Sequence, residues 1–315
     1  MMTEAKTDGQ VQMTSVQANR ECVRRGSHWE AEAKRGLAVY LTILFALSMP
    51  LYMVLAARAL PVSRQPGLII LLMWTPAISA VATRLLLREG FKGTGLAVLG
   101  RAALRPIATA VAFPIVVGLI SYGAAWGLGL ASFAPAPGAA PGAAPGAAPG
   151  AADGLAGFGA LAGLARAVAR AVVVGVPLGI IMVAGEEIGW RGYMTGRLRS
   201  MGLRAPGVVG GLIWAAWHTP LILTGQYAGG PYALSSVLGF AMLAVGLHIL
   251  WSEWLTRTGS LWPAIIGHSA WNVVIQHPFD GHTTGEAASL WLGDSGLLTA
   301  GLCLVVAVAG GTSKE

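Results

Sequence analysis

Residues 167–185 of the chain read AVARAVVVGVPLGIIMVAG, and residues 186–193 continue with EEIGWRGY. The first run is long and apolar enough to cross a bilayer, which takes about 20 mostly apolar residues. Charged side chains at membrane depth cost about 2.5–3.5 kcal/mol each on insertion scales, so the acids and the arginine that follow need partners or a role. This stretch predicts a membrane helix that continues past Gly185 and carries candidate functional groups.

Similar apolar runs occur along the whole chain. Of its 315 residues, 55% are hydrophobic and 11% are charged, whereas an ordinary soluble domain has about 25% charged residues. Together with the run above, the candidate membrane spans lie at residues 36–57, 67–87, 107–130, 167–185, 206–224, 233–255, 261–276 and 288–310. The sequence therefore predicts an all-α fold, a polytopic membrane helical bundle of about eight transmembrane helices.

A low-complexity stretch divides these spans into two groups. Pro-Gly pairs recur every four residues between positions 137 and 150, and because proline and glycine both disfavour helix, we expect an extended linker there. The predicted organisation is a polar cytoplasmic N-terminal tail, three spans, an Ala/Pro/Gly-rich linker and a C-terminal membrane domain that holds every candidate site residue, at residues 1–35, 36–130, 131–153 and 154–311.

The basic residues indicate how the spans are oriented. The net charge is +7, but the Lys and Arg residues sit in loops and do not form one soluble basic face, which argues against a nucleic-acid partner. They concentrate before the first span, between the second and third, and between the fourth and fifth. Basic loops stay on the cytoplasmic side, so we predict a multi-pass protein of the cell membrane, embedded in the lipid bilayer, with both termini cytoplasmic.

The acidic motif of the central stretch is typical of a helix with two distinct carboxylates. Glu187 and Arg191 are four residues apart, so on a helix they share a face in the order that favours an ion pair. Glu186 points about 100° away from that pair, and a carboxylate left unpaired in such a place can act as a general base. The alternative is an interfacial charge cluster that only ends the span.

Glycines recur beside the acidic motif. Gly185, Gly189, Gly192 and Gly196 fall on one stripe of the helix, and small residues in that pattern let another helix approach closely. The chain has 44 glycines, so such a stripe also arises without a packing role.

Two later apolar segments also carry polar residues. His218 lies in a helix that we expect to break near Pro220. His268 and Asn272 are four residues apart and can face one point, where an imidazole and an amide suit an oxyanion hole or a site that holds a water molecule. A hydrogen-bonded core histidine and inter-helix hydrogen bonding are the alternatives. Since lipid offers no partners, we expect the polar residues of all three segments to converge in one cavity.

The remaining ionisable residues have simpler explanations. His248 stands alone in the sixth span and is predicted to be a core residue, and Glu253 with Arg257 forms an i, i+4 pair at a span end. An outer loop is expected to leave four further groups in water: His277, Asp280, His282 and Glu286.

Taken in order, the three motifs resemble those of the CPBP family of intramembrane proteases, also called the CAAX prenyl protease 2 or Abi family. The family pattern is Glu-Glu-x-x-x-Arg, then Phe-x-x-x-His, then His-x-x-x-Asn or Asp. The residues that match it are Glu186, Glu187, Arg191, His218, His268 and Asn272. Trp214 stands where the family usually has phenylalanine, and the resemblance covers about residues 172–275.

The resemblance implies a hydrolase, an intramembrane endopeptidase that cuts a peptide bond of a membrane-associated substrate, prenylated or not. It also implies a buried, water-accessible site that opens toward the cytoplasm. Glu186 would be the general base for the attacking water, with His218 sharing the proton or orienting that water. Glu187 and Arg191 would fix the first helix, and the oxyanion would be stabilised by His268 and Asn272.

The resemblance leaves the cofactor and the activity itself open. Glu186, His218 and His268 could hold Zn²⁺ with an open position, as in a metalloprotease, and Glu187 could then serve as the base. The same residues could also act without metal. A non-enzymatic membrane protein of the bacteriocin-immunity or scaffold type is the alternative, and a proton-coupled transporter is a third class. The oligomeric state is not determined by the sequence.

Overall fold

The protein is almost entirely helical in its computed structural model, which describes residues 15–96, 101–134, 151–228 and 231–311. The two short strands of these ranges, β1 (Ser132–Phe133) and β2 (Thr283–Thr284), pair antiparallel. The α-helices are α1 (Ser15–Arg58), α2 (Pro66–Leu87), α3 (Arg101–Gly127), α4 (Ala151–Arg170), α5 (Val176–Gly189), α6 (Thr195–Ser200), α7 (Pro206–Leu223), α8 (Ala233–Thr258), α9 (Trp262–Val274), α10 (Ala288–Trp291) and α11 (Leu297–Gly311). The predicted all-α fold is confirmed.

Six helical segments in the described ranges are long and apolar enough to cross a membrane. They are Trp29–Arg58, Pro66–Leu87, Ala103–Gly127, Gly159–Ser200, Pro206–Leu223 and Ala233–Thr258. Leu297–Gly310 is a shorter apolar helix, and α9 has 13 residues before a π-turn at Ile275–Phe279. The predicted polytopic bundle is therefore confirmed, whereas the count of eight spans is not.

The central stretch forms one long helical segment. α4, α5 and α6 follow one another through π-turns at Ala171–Gly175 and Trp190–Met194. Each π-turn carries an extra residue, and such turns often occur at functional sites. The predicted continuation of the helix past Gly185 is confirmed, and the second π-turn lies directly after the acidic motif.

Two helices begin inside segments that we interpreted as non-membrane. α1 starts at Ser15, within the predicted polar tail, and α4 starts at Ala151, within the predicted linker. The Pro-Gly repeats at residues 135–150 lie outside the described residues, and the extended linker stays a prediction.

Glycines set the distance between α5 and α2. A Cβ atom on Gly185 would lie 2.6 Å from the Met73 carbonyl oxygen, and one on Gly189 would collide with Pro76. Gly196, on the same stripe, faces open space. Part of the glycine stripe therefore has the packing role that close helix contact requires.

Two helix ends differ from their predicted positions. α7 continues through Pro220 and ends at Leu223. The last span was predicted from residue 288, but α10 ends after one turn, Gly293 adopts a φ of 81° and α11 starts only at Leu297. A left-handed φ suits glycine and interrupts the helix. The bend places Asp294 at the end of the bundle and not inside a helix.

Candidate active site

A cavity of about 380 Å³ lies between α2, α5, α7, α8 and α9. Four of the six predicted site residues line it: Glu186, His218, His268 and Asn272. The other two, Glu187 and Arg191, are fully buried behind its wall. The structure thus brings the three sequence motifs together at one place.

Glu186 is held by two tryptophans. Its Oε2 atom accepts hydrogen bonds from Nε1 of Trp190 at 3.2 Å and from Nε1 of Trp214 at 2.8 Å. No Lys, Arg or His of the described chain forms an ion pair with it, and its Oε1 atom accepts no hydrogen bond from the described residues. The carboxylate is therefore oriented by neutral donors and presents a second oxygen at the cavity.

The tryptophan at position 214, where the family usually has phenylalanine, makes a hydrogen bond that phenylalanine could not make. Phenylalanine has no donor, whereas the indole N–H of Trp214 bonds to Glu186 from across the cavity. The same ring lies 5.5 Å from the His268 ring, centroid to centroid. Trp214 therefore keeps the aromatic wall and adds a hydrogen bond to the acid.

Glu187 connects the first motif with the third. Its Oε1 atom accepts from Nη1 of Arg191 at 2.8 Å and from Nδ1 of His268 at 2.8 Å. A carboxylate oxygen accepts hydrogen bonds, so the Nδ1 atom of His268 carries the proton and Nε2 is left for the cavity. The predicted pair with Arg191 is present, and the link to His268 was not predicted.

Arg191 lies among aromatic rings as well as beside an acid. Its guanidinium carbon is 4.4 Å from the ring centre of Trp214 and 4.8 Å from that of Trp251. Its Nε and Nη2 atoms have no hydrogen-bond partner among the described residues. Ion pairing with Glu187 and contact with two π-faces together compensate a buried cation that lipid could not solvate.

His218 presents one nitrogen to the cavity. Its Nδ1 atom lies 3.1 Å from the Trp214 carbonyl oxygen, an acceptor, so Nδ1 is the protonated nitrogen of the neutral ring. The ring is packed by Trp217 at 4.8 Å and Phe240 at 4.5 Å between centroids. His218 therefore has a fixed orientation with a basic Nε2 atom.

Asn272 lies one helical turn after His268 and is half-buried in the cavity wall. Both residues line the same cavity, and a side-chain amide is the neutral donor that the oxyanion hypothesis requires.

The cavity reaches the loops at one end of the bundle, and we take this end as its mouth. Ser63 lines it from the α1–α2 connection, Tyr227 from the α7–α8 connection, and Asp294 from the α10–α11 connection. The positive-inside pattern assigns all three connections to the side opposite the basic loops. Cytoplasmic termini and a site that opens toward the cytoplasm, both expected from the sequence, therefore contradict each other.

Asp294 is a buried residue of this site that the sequence reasoning missed. Its Oδ1 atom accepts from Nε1 of Trp271 at 2.8 Å, and its Oδ2 atom accepts from Nε2 of Gln276 and the Tyr227 hydroxyl, each at 2.6 Å. The sequence did indicate this residue, because Asp294 is an acid inside the apolar run at 288–310, where a charge is costly.

The outer loop is less solvated than expected. His282 is only 2% exposed, and its Nδ1 atom donates to the Pro278 carbonyl at 2.7 Å. Asp280 accepts a hydrogen bond from the Tyr122 hydroxyl. For His282 and Asp280 the prediction that water alone satisfies them was wrong, because the π-turn after α9 packs against α3. His277 and Glu286 are exposed, as predicted.

The two simpler predictions are confirmed. His248 is fully buried with Nε2 3.2 Å from the Thr195 hydroxyl, and Glu253 pairs with Arg257 at 2.6 Å.

The fit of a zinc ion depends on the donor geometry. Within the described ranges, no three His, Cys, Asp or Glu side chains lie close enough to hold one metal ion. Glu186, His218 and His268 line one cavity, but zinc would need them to move closer to reach bonds of about 2.0–2.2 Å. As arranged, these residues do not fit zinc.

Fold and site together define a polytopic membrane protein whose helices enclose a glutamate, two histidines and an asparagine. Residues 167–274 match the family described as Rce1-like, the type II CAAX prenyl endopeptidases. This segment contains all six predicted site residues, and the match confirms the resemblance found in the three motifs. A comparison with curated proteins found no match.

Proposed function

We propose that the protein is an intramembrane endopeptidase in which Glu186 activates the attacking water. The division of the acidic motif supports this proposal. Glu186 faces the cavity, whereas Glu187 is buried behind it in an ion pair with Arg191. One carboxylate is therefore free to accept a proton, and the other is engaged in holding the helices together.

The proposed reaction begins with proton transfer to Glu186. A water molecule gives a proton to the carboxylate as its oxygen attacks the scissile carbonyl, and Nε2 of His218 orients that water. The carbonyl oxygen becomes negative and accepts a hydrogen bond from the Asn272 amide. When the tetrahedral intermediate collapses, the proton on Glu186 passes to the leaving amine.

In this mechanism, the role of His268 depends on whether its ring is protonated. With its proton on Nδ1, the neutral ring offers only a lone pair at Nε2, so it donates to the oxyanion only as an imidazolium. Glu187 at 2.8 Å stabilises that imidazolium. Asn272 is therefore the permanent donor, and His268 becomes the second donor when it binds a proton.

The cavity wall suits a substrate that is held by the membrane. Apolar side chains from α2 and α8 form much of it, including Leu72, Met73, Phe240 and Leu243. A peptide that carries a lipid or an apolar segment can therefore place its scissile bond beside Glu186 without exposing that segment to water.

Cleavage of lipidated peptides by purified, detergent-solubilised protein tests the proposal. We expect Glu186→Gln to lower the rate by about 10²–10⁴-fold, the usual contribution of a general base, and His268→Ala to lower it as well. Glu286→Gln removes an exposed loop acid that does not line the cavity and is the matched control. Addition of a chelator tests whether a metal takes part.

Two results would contradict the proposal in different ways. If well-folded protein cleaves no peptide of the library, the proposal is wrong and the non-enzymatic scaffold or immunity function is favoured. Cleavage that survives Glu186→Gln would retain a peptidase but move the base elsewhere.

A further inference from the structure

A separate cavity lies at the end of the bundle opposite the mouth of the candidate active site. It has a volume of about 360 Å³ and is enclosed by the segment that joins α6 to α7, the C-terminal part of α8 and the end of α11. It shares no lining residue with the candidate active site. The positive-inside pattern assigns this end of the bundle to the cytoplasmic side, so the cavity lies where the cytoplasmic leaflet ends.

The polar part of this cavity carries more positive than negative charge. Its ionisable lining residues in the described chain are Arg199, Arg257 and Glu253. Arg257 pairs with Glu253 at 2.6 Å, whereas Arg199 forms no ion pair with the described residues. The exposed Arg204 directly precedes Ala205, which also lines the cavity. An anion is therefore attracted to this place.

Arg199 is held at the cavity by neutral acceptors. Its Nη1 atom donates to the Thr256 hydroxyl at 2.5 Å, and its Nη2 atom donates to the Ser252 carbonyl at 3.3 Å. A guanidinium has five N–H donors in a planar fork, so these two bonds fix its plane and leave further donors for a ligand. The residue is exposed, so a ligand can reach it. Phosphate oxygens match the geometry of this fork.

The start of α7 adds backbone donors to the same cavity. Pro206, Gly207 and Val208 line it, and the first N–H groups of a helix have no partner within that helix. Ala205, which precedes the helix, makes no side-chain hydrogen bond to them. Because such N–H groups stabilise anions, the backbone here and the Arg199 side chain favour the same kind of ligand.

The rest of the cavity wall is apolar and reaches the lipid-facing surface. Val208, Ile249 and Leu250 form part of it, and Val208 is 37% exposed. Basic pockets between membrane helices on the cytoplasmic side bind lipid head groups. A free phosphate ion would use the donors and leave the apolar wall without a partner, whereas a phospholipid uses both parts.

We propose that this cavity binds the head group of an anionic phospholipid from the cytoplasmic leaflet. The lipid phosphate accepts hydrogen bonds from Arg199 and from the first amides of α7, and the acyl chains lie along Val208 and Ile249. Anionic lipids give the cytoplasmic leaflet its negative surface potential, which agrees with the side on which the cavity lies. This binding site does not depend on the proposed peptidase function.

Ligands that differ in one property test the site. Purified full-length protein in detergent is titrated with short-chain phosphatidylglycerol, short-chain phosphatidylcholine or inorganic phosphate, and native mass spectrometry gives the Kd of each. We expect phosphatidylglycerol to bind most tightly. Arg199→Gln should weaken it about fivefold, the contribution of one basic residue at an anionic membrane surface. Arg105→Gln removes an exposed basic residue that does not line the cavity and should leave the Kd unchanged.

Three results would overturn the site. Equal binding of the two lipids, or equal weakening by Arg199→Gln and Arg105→Gln, would show that the cavity does not select an anionic head group. Inorganic phosphate that binds as tightly as phosphatidylglycerol would show that the ligand is a free anion and not a lipid. If Arg199→Gln does not fold, Arg257→Gln takes its place and should also weaken phosphatidylglycerol binding; an unchanged Kd would be the third contrary result.

Discussion

At the scale of single residues, the two neighbouring glutamates differ because of what surrounds them. Glu186 is bound by two indole N–H groups, whereas Glu187 is shared between Arg191 and His268. Neutral donors orient a carboxylate, and a cation neutralises it. Substitution of the two residues should therefore have different consequences.

Glu187→Gln should destabilise the protein more than Glu186→Gln does. It leaves the buried charge of Arg191 without its acid, and breaking a buried ion pair from one side costs about 3–5 kcal/mol. Glu186→Gln keeps a side chain of the same size and strands no cation. Thermal unfolding in detergent should show a clear drop only for Glu187→Gln. Equal losses would contradict the separation of roles.

A pH effect is expected from Asp280 at the cavity entrance. The residue is exposed overall, but its carboxyl group lies against Tyr122 and Gly293. Removal of that group from water, opposed by the Tyr122 hydrogen bond and reinforced by the charge of Asp294, raises the pKa of Asp280 to about 7. The ordinary value is about 3.9, so between these pH values the folded state binds more protons than the unfolded state.

The sign follows from that proton excess. The contribution of Asp280 to stability is largest below about pH 4 and falls until about pH 7, where it levels off. The unfolding temperature of the wild type should therefore fall between pH 5 and 7, and Asp280→Asn should abolish that fall. The unfolding temperature of the variant should accordingly rise relative to that of the wild type as pH increases through this range. Glu286→Gln should keep the wild-type profile. If the unfolding temperature of Asp280→Asn fell relative to that of the wild type as pH rises, the pKa of Asp280 would not be raised.

At the scale of elements, the position of the acidic motif depends on how closely α5 approaches α2. Gly189 allows that contact, because any Cβ atom there would collide with Pro76. Both glutamates lie on the turn that precedes Gly189, so a shift of α5 moves them together. Helix packing and site geometry are thus coupled through one residue.

Gly189→Ala should destabilise the protein by about 1–3 kcal/mol, as overpacking of a tight contact does. Gly196→Ala is the matched control on the same stripe, because its Cβ would face open space. Alanine is favoured over glycine within a helix by about 1 kcal/mol, so the control should be neutral or slightly stabilising. If both variants behave alike, the α5–α2 contact is not as tight as described.

At the scale of the whole molecule, the orientation of the bundle in the membrane decides to which side the cavity opens. The mouth and the basic loops lie at opposite ends of the bundle, so the charge pattern and the family resemblance predict opposite openings. The positive-inside rule acts through short loops near span ends, and several such loops agree here. We therefore expect cytoplasmic termini and a cavity that opens to the non-cytoplasmic side.

Membrane-impermeant maleimide labelling of intact cells tests this orientation. Ser63→Cys lies at the mouth and Lys92→Cys in a basic loop; both positions are exposed. In a Cys22→Ser background, with Cys303 buried, we expect Ser63→Cys to be labelled and Lys92→Cys to be protected until the membrane is permeabilised. The reverse pattern would place the mouth in the cytoplasm, as the family resemblance implies.

Much of the site could be found from local sequence because membrane depth makes polar residues conspicuous. Glu186, Glu187, His218, His268 and Asn272 each stood out in an apolar segment, since lipid offers them no partner. The i, i+4 spacing of Glu187 and Arg191 was enough to predict their ion pair, because helical geometry is local. Asp294 carried the same signal and was overlooked inside a predicted span.

By itself, the sequence determined the membrane-embedded helical class, the family resemblance and most residues of the candidate site, because hydropathy and helical spacing act over a few turns. Only the tertiary structure decided that Glu187 bridges Arg191 and His268, that Trp214 donates to Glu186, and that the cavity opens beside Asp294. Those contacts join residues from different helices, and their geometry depends on how the helices pack. Packing is set by many weak contacts over the whole bundle, so no short stretch of sequence specifies it.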